Sequence, residues 1–541
     1  MPIQRPPHIV CFAPYTTWSI HSSRQVAILQ ALRLRGCSVT YVTCDGVFSD
    51  CDVLQPANGA PAKKPANACL ICQSSAAARM ATWGLPYRWL GRWLTTADFT
   101  DAAAWAHGFK GAALADAQFG EWNIGAWVAS SVHKHMRHNE LDLNDPQTAA
   151  VFASYLYSGR LAAVGFDRLL ADEKPDFLLL FNGRMAPMRT ALELGKLRGI
   201  PVLVEERGVV PGHMTFFENR SCVDSHDLVA LWRAWENVPL NAAELDAVGA
   251  LFKERWRGMK DSVVFMAGTQ RADETKAALQ LDPALPVWAL FTSNLDEAGG
   301  TNLANGVFET HSAWVLASLD FARRHPGLQL VIRVHPNSGS QRSFAKNAQE
   351  LAFYESLADS LPDNVRLVRS DDTLNSYALA AMATVGLTWH STIGVEMAAL
   401  GKPVVRCGSR EHSAQPCLLM PETPAAYDRM LGDLIQGRAP DPLACARPAW
   451  RFGAAAFFRY SFPFPLVKQT DWYMGDMNFS DYSELAPGKD VMLDRICAHV
   501  MDRAPLHPTP PERGAADAAT ETDAILRWIG AAQPGGEPGR A

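Results

Sequence analysis

The stretch that most constrains this chain runs from Leu387 to Val405, LTWHSTIGVEMAALGKPVV. It reads as an apolar strand, a turn through His390, Ser391, Thr392 and Gly394, a helix carrying Val395, Met397, Ala398 and Leu400, a stop at Gly401, and a second strand. A hydroxyl-rich turn between a strand's carboxyl end and a helix presents unpaired backbone N–H groups and a positive dipole end, which suit a nucleotide phosphate. Glu396, in the first helical turn, is placed to accept from a ribose hydroxyl. The plainer alternative is a strand-to-helix unit with Ser391 or Thr392 as N-cap.

The same rhythm recurs along the chain. His8–Ala13 and Ser38–Cys44 read as strands around a helix at 24–35, a unit of the parallel type. The loop after the first strand, with Thr16, Thr17, Trp18, His21 and Ser22, falls on the ligand side of such a sheet, where His21 would be a base or merely a packed side chain. Phe177–Phe181 and Pro201–Glu205 read as further strands, the second ending in Glu205 and Glu206, either of which would serve as general base or stand as a solvated charge. Beyond residue 261, strands at 287–291, 328–334, 365–368 and 384–388 end in Thr292-Ser293, in His335-Pro336-Asn337 and in the opening turn. The order predicts an α/β chain with two Rossmann-like domains. The expected boundaries are 1–240 for the first, with a helical insertion at about 76–173 forming an acceptor-side wall or dimer surface, and 262–450 for the second. Residues 241–261 connect them, 451–505 form an aromatic and helical return segment, and 506–541 a mostly disordered tail apart from a short helix at 524–530.

Composition narrows the partners. With 48% apolar and 20% charged residues and a net charge of −6, the 541-residue chain has no electrostatic footprint for nucleic acid. No uninterrupted apolar run of about 18 residues occurs, so a cytoplasmic protein is expected, peripheral at most at the inner membrane. Cys44, Cys51, Cys69 and Cys72 follow the pattern C-x6-C-x17-C-x2-C, open to a structural zinc site, to reduced loop thiols or to a redox pair. Asp50 and Asp52 form an isolated D-x-D without a strand leading into it, read as coincidence. The aromatic stretch at 448–465 is either a packed return segment or an exposed surface for a lipid-linked acceptor.

Two segments carry a resemblance. VIRVHPN at 331–337 and WHSTIGVEMAALGKPVV at 389–405 resemble the donor-binding domain of bacterial capsule polysaccharide glycosyltransferases, the Kdo transferases of capsule assembly and, more loosely, polysialyltransferases. FNGR at 181–184, ALELGKLRGIPV at 191–202 and ERGVVP at 206–211 resemble the other half. The resemblance implies a GT-B architecture, two Rossmann-like domains facing across a cleft. It implies a metal-independent glycosyltransferase moving a sugar from a CMP-Kdo-like or UDP-sugar donor to a glycan or glycolipid acceptor in capsule or lipopolysaccharide biosynthesis, with capsule-assembly proteins as partners. Under it Arg333, His335, Pro336, Asn337, Thr292, Ser293, His390, Ser391, Thr392 and Gly394 would hold the donor and Glu396 its ribose. Glu206 would be the acidic residue of the acceptor side, with Glu205, His21, Glu218 and Asp224 as the remaining candidates for the base. The same elements resemble CDP-alditol glycerophosphotransferases. A nucleotide-sugar 2-epimerase or a non-catalytic glycan-binding assembly subunit would also account for them.

Overall fold

A computed structural model describes residues 6–53, 67–256, 272–295, 299–301, 306–339, 347–409, 415–471, 473–511 and 514–531. The chain divides into two units, residues 1–224 with 461–508, and residues 225–460 with 509–541. Its strands in chain order are β1 His8–Phe12, β2 Ser38–Thr43, β3 Tyr87–Trp89, β4 Phe177–Phe181, β5 Val202–Arg207, β6 His213–Glu218, β7 Val287–Phe291, β8 Gln329–Arg333, β9 Val365–Val368, β10 Val385–Thr388, β11 Val404–Arg406, β12 Ser461–Pro463, β13 Val467–Gln469 and β14 Gly475–Met477.

The first unit carries one seven-stranded sheet in the order β3-β2-β1-β4-β5-β6-β12. Strands β1 to β5 are parallel, and β6 and β12 are antiparallel additions. Central strands such as HIVCF and FLLLF are buried at every position, because helices cover both faces of a parallel sheet. The helix Ser19–Leu34 begins five residues before the expected start. Its polar first turn, SIHSS, is buried, and its partners come from distant sequence: Ser19 Oγ accepts from the Gly475 N–H at 2.9 Å, and Ser23 Oγ donates to the Gly475 carbonyl at 3.2 Å. The β13–β14 hairpin thus lies along this helix.

The second unit carries five parallel strands in the order β9-β8-β7-β10-β11. Counted within each unit, both sheets have the 3-2-1-4-5 order of doubly wound nucleotide-binding folds. The strand order reverses between β1 and β4 in one sheet and between β7 and β10 in the other. At those two points, at the carboxyl ends, connections leave in opposite directions and open a crevice.

Several expectations differ from the structure. The division falls at 224/225, 460/461 and 508/509, because helices His226–Trp235 and Ala242–Trp256 bury Trp232, Trp235 and Phe252 among Phe452, Arg459 and Trp450 of the second unit. The described part of the segment read as a connection, 241–256, is therefore part of a core, and 257–261 lie outside the described residues. The helical insertion contains β3, which pairs with β2 at the sheet edge. The aromatic stretch is interior: Trp450, Phe452, Phe457, Tyr460, Phe462 and Phe464 are all buried, which removes the exposed acceptor surface. Asp52 of the D-x-D is buried, accepting from Tyr15 Oη at 2.6 Å and from Ser131 Oγ at 3.2 Å.

The tail differs as well. Residues 515–531 form a helix whose buried Glu521 accepts from Arg451 Nε at 2.9 Å and Nη2 at 2.6 Å and from the Leu240 N–H at 2.9 Å. Removing one partner of a buried pair strands the other charge, at a cost of about 3–5 kcal/mol. Glu521→Ala is expected to destabilise the protein by about that amount, read as a lowered denaturation midpoint. A variant within about 0.5 kcal/mol of the parent would show that the helix is not integral to the fold.

Candidate functional site

At the carboxyl end of β7, two hydroxyls hold the neighbouring strand ends. Thr292 Oγ1 accepts from the His335 N–H at 2.8 Å, fixing the turn after β8. Ser293 Oγ accepts from the His390 N–H at 3.1 Å, fixing the turn after β10. The turns carrying His335 and His390-Ser391 therefore leave the same end of the sheet on either side of β7, at the reversal of strand order.

The ring of His335 is oriented by its own turn. Its Nδ1 accepts from the Asn337 N–H at 3.2 Å, with Pro336 opening the short helical turn 336–338. A neutral ring accepting at Nδ1 carries its proton on Nε2, so His335 in this geometry is an N–H donor. His390 Nδ1 faces Arg406 Nη2 at 3.0 Å. His311 Nε2 accepts from the Ser293 N–H at 3.3 Å, and burial followed by the nearby His335 holds its pKa down to about 3. Ser391 is half-buried, its carbonyl accepting from Gln415 Nε2 at 2.9 Å, and Thr392 is exposed at the start of helix Ile393–Ala399. Gly394 lies where a Cβ would stand 3.0 Å from Leu418 and 3.2 Å from the Thr388 hydroxyl.

Two predicted donor contacts are engaged elsewhere. Arg333 is 1% exposed and clamps the loop after β9, donating to the carbonyls of Arg369 and Asp372 and to Ser376 Oγ. Glu396 is 0% exposed and paired with Arg255 Nη1 at 2.5 Å. A fully buried carboxylate paired with a guanidinium is not exposed to a ribose hydroxyl in this structure. Neither interaction was legible locally, since Arg255 lies 141 residues from its partner.

The first unit gathers the acidic group. His21, in the first turn of the Ser19–Leu34 helix, packs tilted against the Phe181 ring and places Nδ1 3.1 Å from Glu205 Oε2; its Nε2 lies 3.6 Å from Glu206 Oε1. Gln25 Nε2 donates to Glu205 Oε1 at 3.2 Å. Glu206 Oε2 accepts from Asn182 Nδ2 at 2.8 Å, and Oε1 from the Arg207 N–H at 2.8 Å. Asn182 holds φ 63° and Gly183 φ 64° in the tight turn that brings this amide back over β5. Burial, then the charge of Glu206, raises the Glu205 carboxyl well above its ordinary 4.5. Burial, then Arg207 and Arg24, lowers His21 well below 6.5. The consistent arrangement is a protonated Glu205 donating to Nδ1 of a neutral His21, whose Nε2–H faces Glu206.

This sorts the candidate bases. Glu205 and His21 are 0% and 3% exposed and stand behind Glu206, which alone of the three reaches the surface. Buried in this way, neither is exposed to a substrate in this structure, unlike the catalytic positions expected of them. Glu218 is opposite Leu203 in the β5–β6 register, at the far end of the sheet, and pairs with Arg503; Asp224 pairs with Arg220. The cysteines do not assemble: among the described residues, no three His, Cys, Asp or Glu side chains are arranged to hold a metal ion. Cys44 and Cys69 both lie beside Gly46, and Cys51 lies near Tyr15. Sequence reading missed Arg406, although a lone charge in the strand VVR is a visible anomaly, and Asn182, which it read only as a turn.

No family model matches the chain, and no curated protein matches it. Solved structures do. The UDP-GlcNAc 2-epimerase of Neisseria meningitidis bound to UDP-GlcNAc is 12% identical, covers 83% of this chain and 97% of its own, and has a TM-score of 0.25. The beta Kdo 2,4 transferase KpsC of Thermosulfurimonas dismutans is 12% identical over 57% of this chain and 87% of its own, with a TM-score of 0.34. MnaA of S. aureus, in a structure with UDP, is 10% identical over 94% and 100%, with a TM-score of 0.30. At these values the likeness assigns no activity to this chain. Among the described residues, no helix is long and apolar enough to cross a membrane.

The buried dyad has a stability signature. A carboxyl whose native pKa is raised keeps its proton where the unfolded chain has lost it, so its contribution to stability falls as pH rises above about 4.5. Glu205→Gln replaces the protonated acid by a permanently neutral amide and removes that loss. The melting temperature of the variant relative to the parent is expected to rise between pH 5 and pH 8. A difference that stays constant over this range would mean that Glu205 is ionised in the native protein.

Proposed function

We propose that the protein is a glycosyltransferase that moves a sugar from a nucleotide-activated donor to a hydroxyl of a surface polysaccharide or its glycolipid precursor. The observation that carries the reading is a division of chemistry between two sheets of the same order. The second presents N–H and hydroxyl donors at its strand reversal, and the first presents a carboxylate backed by a neutral histidine. N–H and hydroxyl donors suit a leaving phosphate, and a carboxylate near the surface suits an acceptor hydroxyl.

In the reaction, the acceptor oxygen forms a bond to the anomeric carbon as the bond from that carbon to the donor phosphate breaks. The electron pair leaves on the nucleotide phosphate, where the Nε2–H groups of His335 and His390 and the Ser391 hydroxyl stabilise it. The acceptor proton passes to Glu206, a step worth roughly 10²- to 10⁴-fold in rate. Asn182 and Arg207 hold the Glu206 carboxylate in place while His21 and Glu205 stand behind it.

Two substitutions separate the roles. His335→Ala is expected to weaken nucleotide binding and to lower kcat/KM by about two or more orders of magnitude, because a phosphate contact acts in both ground and transition states. Glu206→Gln is expected to leave nucleotide Kd within about twofold while abolishing transfer. Calorimetry with CMP, UDP, GDP and CDP-glycerol, alongside turnover on a capsule-type or lipopolysaccharide-type acceptor, reads both. Normal binding and transfer by His335→Ala would overturn the donor site. Near-normal turnover by Glu206→Gln would remove it as base, and conversion of a UDP-sugar without any acceptor would replace transfer by epimerisation.

A further inference from the structure

Arg406, the last residue of β11, is 0% exposed. Its Nη2 lies 3.0 Å from His390 Nδ1 and donates to the Ser409 carbonyl at 3.0 Å, while Nη1 approaches Met420 Sδ at 3.3 Å. A guanidinium has donors and no acceptor. The ring nitrogen facing it must present a lone pair, so the one proton of the neutral ring stands on Nε2. A second proton at Nδ1 would set two N–H groups against each other. The backbone of His390 is also fixed, its N–H donating to Ser293 Oγ at 3.1 Å and its carbonyl accepting from Gln415 Nε2 at 3.3 Å. Gly408 permits the approach, since a Cβ there would stand 2.4 Å from both the ring Cε1 and the Trp389 carbonyl oxygen.

We propose that Arg406 is a positioning residue that holds His390 as a neutral Nε2–H donor toward the donor phosphate, excluding it as a base or a cation. The role toward phosphate rests on the nucleotide reading of this site; the tautomer does not. His335 is oriented in the same way by the Asn337 N–H, so both imidazoles beside β7 direct Nε2 as their proton-bearing atom. The described titratable groups that act on Arg406 are Cys407 and Cys417, and His311 lies near His335 at the same sheet end. Burial lowers Arg406 to about 10, raises both thiols and holds His311 near 3, so these four keep their charge from pH 5 to pH 8. A phosphate contact from a donor of constant charge gives an affinity that does not track imidazole titration.

Long-range proton–nitrogen spectra of protein labelled with ¹⁵N-histidine, assigned with His390→Gln, test the tautomer directly. The expected pattern is Nε2–H with an accepting Nδ1 at pH 7.5, unchanged at pH 5.5. An Nδ1–H tautomer, or a ring that becomes doubly protonated over this range, overturns the proposal. The second arm measures Kd for UDP-GlcNAc, whose diphosphate diester does not itself titrate between pH 5.5 and 8.5. The parent is expected to vary by less than twofold over that range and Arg406→Met by more than threefold, with Arg406→Lys restoring the flat profile. A flat profile in Arg406→Met overturns the positioning role. If Arg406→Met does not fold, the spectrum of the parent decides. An Nε2–H ring in a protein that binds no nucleotide would uphold the positioning role and reject the nucleotide reading.

Discussion

The two hydroxyls that end β7 set the geometry of the second unit. A parallel sheet delivers its strand ends to one side, but the turns that follow are free to diverge, because nothing in the ladder extends beyond the last paired residue. Thr292 and Ser293 remove that freedom by capturing the backbone N–H of the first turn residues after β8 and β10. Each bond is modest alone, about 0.5–1.5 kcal/mol net. Together they bring two turns from strands that are not neighbours into register around the strand between them. The imidazoles, the Ser391 turn and the glycine at 408 take their positions from that register.

The first unit solves a different problem with the same sheet order. Its carboxylate must stand near solvent yet be held in one orientation, and the structure achieves this by placing a buried acid and an imidazole behind it. Ionised, Glu205 would be a second anion beside Glu206 in a dry interior, the arrangement that burial and like-charge repulsion disfavour most. Protonated, it becomes a hydrogen-bond donor and fixes the tautomer of His21. In both units, therefore, an accepting Nδ1 decides what the other nitrogen of a histidine can do, although the supplying groups are unrelated: a carboxylic acid, a backbone amide and a guanidinium.

Much of this was legible in the sequence, for a physical reason. Strands buried on both faces are predominantly apolar, so FLLLF, VWALF and the LVI of QLVIR announce themselves, and the residues that end them mark the ligand side of each sheet. What was illegible involves edges and distant partners. β3 and β12 are three residues long and carry no period, and β6 follows a tight turn at 208–212 whose hairpin character the alternation does not reveal. The segment SIHSS looked like a loop because its residues are polar, yet they are buried against groups that arrive more than 180 and 450 positions later. Arg333 and Glu396 looked like ligand contacts because they sit at strand and helix ends, where functional groups collect; the backbone carbonyls that hold Arg333 and the guanidinium that pairs with Glu396 come from elsewhere in the fold. The locations were encoded locally, whereas the availability of each side chain was decided by tertiary pairing.

The return of residues 461–508 to the first unit has a consequence for the life of the chain on the ribosome. Until that segment emerges, β6 stands as an open sheet edge, and the helix that carries His21 lacks the hairpin that binds its first turn. At about 5–20 residues per second, the 284 residues between positions 224 and 508 take roughly 15–60 s to synthesise. During that interval the first sheet is unfinished while the second is being made. An exposed edge is a template for pairing with other chains, so the nascent protein is a natural client for chaperones, and production is sensitive to loss of residues 461–508. A segment translated after most of the second unit closes the first sheet to be started.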